Sequence, residues 1–475
     1  MQSVIPAWSV APVAATGTTP GTTPTTEVLI ERAAVLAAAG EGGLWECFAG
    51  IADPRDRRGV RHSVPTILGL CTAAAAAGQV LLADITAWIA AAGQEVLAAF
   101  GCRRDAQGRH TPPHPDTVER LLSLLEAQQL ADGVGGWLAA RAGVGPVGAL
   151  TGGPGWLPAI AVDGKAVRGA VGRGGDTDGR VPYLLAAATH GESVVIAERL
   201  IGAKTNEVPE FAPLLRGLAQ QLAGVGGVGG CVFTMDAAHT VRAHAKLITA
   251  ELFAHYVMIV KQNTPTLYAK IDALDWATVP ITHETLDVGH GRRDKRTIRV
   301  LDAPADLGFP AAAQVFLLER YTTRTVRKRP QGSRRYKKVQ VRSAVAVLGV
   351  TSLSAREAAP EHLAGYARGQ WTIENKIHWV RDVTFREDAS QVRTPPRVRA
   401  MATLRNLVIG LIRQAGHTRI AGTLRKIRND PPLLLAILDL PNTPKPARDQ
   451  QERLCASPCR DVGPIALTDL VSCNC

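Results

Sequence analysis

Three acids in this chain stand where chemistry at phosphorus would need them. Asp163 follows the apolar run AIAV and Asp236 follows VFTM. Each therefore closes a predicted strand, at the edge where open α/β sheets bind ligands. Two carboxylates brought together repel one another unless a hard cation lies between them. Mg²⁺, with Mn²⁺ as its substitute, takes oxygen ligands and keeps several waters, which suits a sparse, all-carboxylate site. Two such ions can activate an attacking oxygen and stabilise a leaving one. The third acid is Glu374, within GYARGQWTIENKIHWVRDVTFRED (365–388). There Ile373, Ile377 and Val380 fall at i, i+4 and i+7, a buried helical stripe. Gln370, Glu374, His378 and Arg381 share a second face, from which Glu374 could close the site. Each signal has a plain alternative. A strand-end Asp also serves as a cap, and the second helix face also reads as a solvated charged surface.

The elements that must position these acids follow from the pattern on either side. Residues 1–30, rich in Thr, Pro, Gly and Ala, read as a disordered leader. Residues 31–145 read as a helical domain, with helices at Leu44–Phe48, Val64–Gly78, Asp84–Phe100 and Asp116–Gln128, the last capped by Asp116. Between the first two lies DPRDRRGVRH, whose Arg55, Arg57, Arg58 and Arg61 suit phosphate contacts or a solvated loop. A Gly/Pro linker ends near Pro158. Over 155–262 the period changes to strands Ala159–Val162, Tyr183–Thr189 and Ser193–Gly202, helix Pro209–Leu222, strand Cys231–Met235, a helix through Leu252, and strand Tyr256–Val260. Three strands, then helix, strand, helix, strand, predict a mixed five-stranded sheet with crossover helices. Residues 263–355 are mostly β, with strands His283–Val288, Asp294–Leu301, Gln314–Thr322 and Val339–Val350. Residues 356–416 return to helix, including Arg397–Gln414. Residues 417–475 are Pro-rich and read as an irregular tail.

Composition narrows the partners. Lys and Arg number 54 against 42 Asp and Glu, a net charge of +12. Ten of those cations and no acid lie between Arg320 and Arg342, with Tyr321 and Tyr336 among them. Arg327, Lys328, Arg329, Arg334 and Arg335 form the centre of that block. Basic residues interleaved with aromatics on a β-ribbon suit a nucleic-acid backbone, and a solvated hairpin tip is the alternative. The eight Cys form neither a disulfide framework nor a C-x-x-C pair, as in a reduced cytoplasmic protein. No signal peptide is expected at the N-terminus. Ser63–Ala83 carries no charge, but Gly69, Gly78 and Gln79 interrupt it, so soluble helices fit better than a membrane span. No G-x-x-x-x-G-K-[ST], H-E-x-x-H or G-x-S-x-G occurs, which sets aside ATP-driven motors, zinc proteases and serine hydrolases.

The blocks IAVDGKAVRGA, NEVPEF, TMDAAHT, YVMIVKQNTPTL, HGRRDKR and IENKIHWVRDVTFREDAS resemble the DDE transposases of bacterial insertion sequences of the ISAs type. DPRDRRGVRH and the helices around it resemble the amino-terminal domain associated with those enzymes. The resemblance runs from Leu44 to Gly416 with its blocks in order. It implies an RNase H-like catalytic core carrying a β-rich insertion. It also implies a metal-binding triad of Asp163, Asp236 and Glu374, cleavage at element ends and strand transfer into target double-stranded DNA, and a homodimer on paired ends. Lys165, Arg168, His378 and Arg381 then become candidates for DNA contact beside the metals. Arg57, Arg58 and the basic block become candidates farther out. Many such enzymes carry a Tyr and an Arg two turns and one turn before the Glu, where this chain has Ala367 and Gln370. Trp379 is expected in the core. A catalytically inactive DNA-binding relic, or a nuclease without strand transfer, would share most of these features.

Overall fold

Strands with apolar residues on both faces build the sheet around which the molecule is arranged. The computed structural model describes residues 43–142, 155–170, 181–201, 207–225, 227–289, 291–329, 336–390, 392 and 394–438. The expected leader, the turn GRGGDTDGR, Arg334, Arg335 and the Cys pairs of the C-terminal region lie outside these residues. Nine strands form one sheet: β1 (Ala159–Ala166), β2 (Tyr183–Thr189), β3 (Val195–Ile201), β4 (Val232–Met235), β5 (His255–Val260), β6 (His283–Gly289), β7 (Arg292–Asp302), β8 (Gln314–Lys328) and β9 (Lys337–Thr351). Their order is β3-β2-β1-β4-β5-β9-β8-β7-β6. β1, β4 and β5 run parallel, while β2 and β3 join antiparallel. The expected β-rich insertion is continuous with the expected five strands, because β9 pairs antiparallel with β5.

Alternation gives the first five strands two different faces. Ile160, Val162, Leu185, Ala187, Phe233, Met235 and Met258 enter the main core, where helix α7 (Glu207–Gln221) packs Phe211, Leu214, Leu215 and Leu218. Ala161, Ala186, Ala188 and Val195 point the other way, onto Ile373 and Ile377. That second face carries a nearly unbroken helical run: α10 (Pro360–Gly369), a π-helical turn at Ile373–His378, and α11 (Trp379–Val383).

The helices before the sheet are α1 (Leu44–Ala49), α2 (Val64–Ala76), α3 (Leu82–Ala90), α4 (Gln94–Ala99), α5 (Pro115–Leu124) and α6 (Ala127–Ala142). They share the main core with the sheet and with α12 (Pro395–Gln414), which is buried along almost its whole length. The single helix expected over Asp84–Phe100 is two, since Gly93 caps a new start at Gln94. His114, not Asp116, caps α5, its Nδ1 accepting from the Asp116 N–H at 3.3 Å. The strand expected to stop at Val162 runs on to Ala166 because β2 continues to pair with it.

The irregular tail expected from 417 does not begin there. α13 (Ile420–Arg428) buries Ile420, Leu424 and Ile427 at helical spacing, and α14 (Pro431–Ile437) carries its prolines in the first turn, where they start a helix rather than break one. α8 (Arg242–Lys246) and α9 (Pro265–Asp272) complete the helices used below. Among the described residues, no helix is long and apolar enough to cross a membrane.

Candidate active site and nucleic-acid interface

Strand register brings the two aspartates together. Val162 and Met235 are partners on neighbouring parallel strands, so Asp163 and Asp236 take the next position on each, with strands about 4.8 Å apart. Asp163 lies two residues beyond Ala161, on the face that meets the Glu374 helix. Asp236 is exposed just past β4, its Oδ1 accepting from the Ala238 N–H at 3.0 Å. Glu374 is exposed on the π-helical turn. Asp163 is pushed up to about 7, first by burial, then by the charges of Asp236, Glu207 and Glu374. The three predicted acids therefore act on one another, and a fourth, Glu207, joins them.

One turn before Glu374, a buried glutamine fastens the helix to both aspartate strands. Gln370 Nε2 donates to the Val162 carbonyl at 2.9 Å, and its Oε1 accepts from Thr234 Oγ1 at 2.8 Å. His190 Nε2 completes the chain 2.7 Å from Thr234 Oγ1, its pKa lowered by burial to about 3. A neutral imidazole donates one N–H there, as the chain requires. Gly369 permits the close approach, since a Cβ at 369 would come within 2.0 Å of His190 Nδ1. The position where related enzymes carry an Arg is therefore a structural joint in this chain. Tyr366 is buried nearby, its hydroxyl accepting from the Leu157 N–H at 2.8 Å. Arg368 turns away to pair with Asp287 on β6 at 2.9 Å.

Three of the expected DNA contacts belong to the interior instead. Arg381 is fully buried, with Nε and Nη2 on the Glu387 carboxylate at 2.9 and 3.0 Å and Nη1 on Glu198 at 2.9 Å. Lys165 is buried against Asp382 at 2.5 Å. Burial alone would raise Glu387, but Arg381 and Arg405 hold its pKa at about 2. His378 is buried with Nδ1 3.5 Å from Asp163 Oδ2, and burial holds it at about 3. A buried charge requires a partner, and Arg381 and Lys165 have found theirs inside, while His378 is buried as a neutral ring. The four-residue spacing that put Arg381 and His378 on Glu374's face breaks down across the wider π turn. Trp379, expected in the core, is 56% exposed, as is Trp371 at 59%.

Arg168 is exposed just past β1, its backbone N–H donating to Asp388. Arg57 and Arg58 are exposed on a short turn capped by Asp56, whereas Arg55 is drawn inward onto Asp53 and the His62 carbonyl. β8 and β9 pair over 15 residues a side, about 50 Å, as an arm that β7 flanks as far as Arg324 and that runs on as a two-stranded tip over Thr325–Lys328 and Lys337–Gln340. Along its outer part Arg320, Arg324, Arg327, Arg329, Lys338 and Arg342 are exposed, with Tyr321 and Tyr336. Arg327 pairs in register with Lys338. Like charges placed opposite one another cost stability unless an anion lies over them.

Among the described residues, no Lys or Arg pairs with Asp163, Asp236, Glu207 or Glu374; Asp163 and Glu207 meet only His378 and His239. Oxygen donors with uncompensated negative charge fit a hard divalent cation. As the side chains stand, no group of three His, Cys, Asp or Glu among the described residues is placed to hold a metal ion. Sequence reasoning had passed over Glu207. Its one signal was an acid at the start of the helix that follows the third strand.

A family model described as "Transposase DDE domain" matches residues 157–411, and one described as "DDE_Tnp_1-associated" matches 45–138. The Escherichia coli O157:H7 protein named "Putative transposase YncI" is 24% identical over 272 residues, 56% of this chain and 64% of that protein. The chain thus spans less than two thirds of that relative's length. "Putative protein YbfL" of Escherichia coli strain K12 is also 24% identical, over 57% of this chain and 67% of its own. A cryo-EM structure of a piggyBac transposase synaptic complex with hairpin DNA overlaps 93% of this chain and 87% of its own, at 11% identity and a TM-score of 0.36. With the first model covering more than half of its length, including all three acids of the predicted triad, the chain belongs to the transposase DDE domain family.

Proposed function

We propose that this chain is a Mg²⁺-dependent DDE transposase of the ISAs-type group that cuts DNA at the ends of an insertion sequence and joins them to target DNA. The observation that carries this reading is the register of β1 and β4, which sets Asp163 beside Asp236 on the face that meets the Glu374 helix. The strand order β3-β2-β1-β4-β5 supports an RNase H-like core spanning 155–262 and 356–416, with 263–355 as its basic insertion and 31–145 as a helical DNA-binding domain. Asp163, Asp236 and Glu374 hold the metal. When bound, Mg²⁺ or Mn²⁺ supplies Lewis-acid polarisation of the phosphodiester and a water of lowered pKa. The residues themselves align the reaction. Gln370 keeps Glu374 in register with both strands, and His378 holds one side of Asp163. The β8–β9 arm and the Arg57–Arg58 turn grip double-stranded DNA through its backbone, so binding falls steeply with salt. Arg168 contacts phosphate beside the acids. A homodimer holds the paired ends, and the enzyme works in the cytoplasm, where that DNA lies.

The test incubates labelled element-end DNA and a target duplex with Mg²⁺, using the wild type and Asp236→Ala. Cutting and joining by the wild type alone is the expected result. End binding without cutting would make the chain a binding relic or repressor. Cutting without joining would make it a nuclease. Equal cutting by both proteins would overturn the site.

A further inference from the structure

We infer that Glu207 is a fourth carboxylate of the metal-binding site, held in place by His239 and admitted by Gly164. The inference rests on the reading of Asp163, Asp236 and Glu374 as the acids of that site. Glu207 opens α7, which packs on the sheet face opposite the Glu374 helix. The two glutamates therefore approach the ends of β1 and β4 from opposite sides, with Asp163 and Asp236 between them. Acids in a first helical turn commonly face water and offset the helix dipole. Glu210, in the same first turn, pairs with Arg199 at 3.3 Å.

Glu207 meets a histidine and, among the described residues, no Lys or Arg. Its carboxylate folds back over Gly164, so closely that a Cβ at 164 would lie 2.2 Å from Oε1. Every residue but glycine at 164 would push that carboxylate away from the strand bearing Asp163. The other oxygen is held: His239 Nε2 stands 3.2 Å from Oε2. His239 is fully buried, and its Nδ1 meets no partner among the described residues. Nε2 is thus the ring atom that finds a partner, and that partner is the Glu207 carboxylate. One oxygen is oriented by a buried imidazole and the other is left over the acid strand, an arrangement that orients ligands toward metals.

Mn²⁺ titration of the full chain without DNA, followed by paramagnetic resonance of free Mn²⁺ and by thermal unfolding, tests this. Glu207→Gln keeps an acceptor for His239. It is expected to weaken Mn²⁺ binding roughly ten- to a hundred-fold, as Asp236→Asn does, while raising the unfolding temperature of the metal-free protein. A purely structural Glu207 would lower that temperature and leave Mn²⁺ affinity alone. Glu210→Gln serves as the control on the same turn and should leave Mn²⁺ affinity unchanged. Gly164→Ala displaces the carboxylate without altering charge, and decides the matter should Glu207→Gln not fold. Wild-type Mn²⁺ affinity in Glu207→Gln or Gly164→Ala, with binding lost in Asp236→Asn, overturns the inference and leaves the site standing. Unchanged affinity in Asp236→Asn overturns both.

Discussion

Two charge clusters meet along the Glu374 helix and are built on opposite terms. At the sheet's end, the four acids Asp163, Asp236, Glu207 and Glu374 gather with no Lys or Arg paired to them among the described residues. Two turns farther on, Arg381, Arg405 and Lys165 face Glu387, Glu198 and Asp382, and every one of the six is paired. The second cluster is dry and neutral, and it pins α12, β1 and β3 against the Glu374 helix. The first is partly open and unbalanced, which a fold tolerates only where a ligand is to complete it. Balance, not residue type, separates the structural charges from the functional ones.

The largest expected effect comes from unbalancing the neutral cluster. Arg381→Met leaves Glu387 and Glu198 buried without their main partner and should cost about 3–5 kcal/mol, read as a collapse of the thermal unfolding temperature. If Arg381 contacted phosphate instead, the same variant would unfold like the wild type and lose only DNA affinity.

A smaller and opposite effect is expected at the acidic cluster. Asp163 titrates near 7 in the folded chain against an ordinary value of 3.8. Its proton therefore stabilises the fold fully below 3.8, and that stabilisation is lost as the pH rises through 7. Asp163→Asn should thus stabilise the metal-free protein at pH 8 by roughly 2–4 kcal/mol, with the gain gone by pH 4. Denaturant unfolding of both proteins at the two pH values measures this. A destabilised Asp163→Asn at pH 8 would place Asp163 with the balanced charges.

The smallest effect on stability is expected on the arm. Arg324, Arg327 and Lys338, all exposed, should each be replaceable by Ala within about 0.5 kcal/mol. DNA binding should weaken, with the slope of affinity against salt falling by about one per residue. Unchanged binding at low salt would mark the arm as a solvated hairpin.

Much of this was legible beforehand because it depends on near neighbours in the chain. The apolar runs before Asp163 and Asp236 marked strands, although β1 runs on past Asp163 to Ala166, and Ile373, Ile377 and Val380 marked the buried stripe, all fully or nearly buried in the fold. The four strands expected in the insertion all form, each longer than expected, β8 running on from Thr322 to Lys328. What misled was the helix face: Gln370, His378 and Arg381 carried the spacing of Glu374 but not its exposure, Gln370 because it bonds to β1 and β4 and the other two because they lie at and beyond the π turn. The prolines of 431 and 432 misled in another way, since a residue that breaks a helix inside it also begins one.

The sequence by itself determined where acids, apolar stripes and basic runs lie, since those are properties of a few adjacent residues. Only the tertiary structure decided which charges would be spent. Arg381 meets Glu198 across 183 positions and Lys165 meets Asp382 across 217, pairings that no local pattern records. Glu207 reaches the acidic cluster the same way, from a helix on the far face of the sheet. A side chain's charge is written in the chain, but whether it is neutralised depends on what the fold sets within a few ångströms of it.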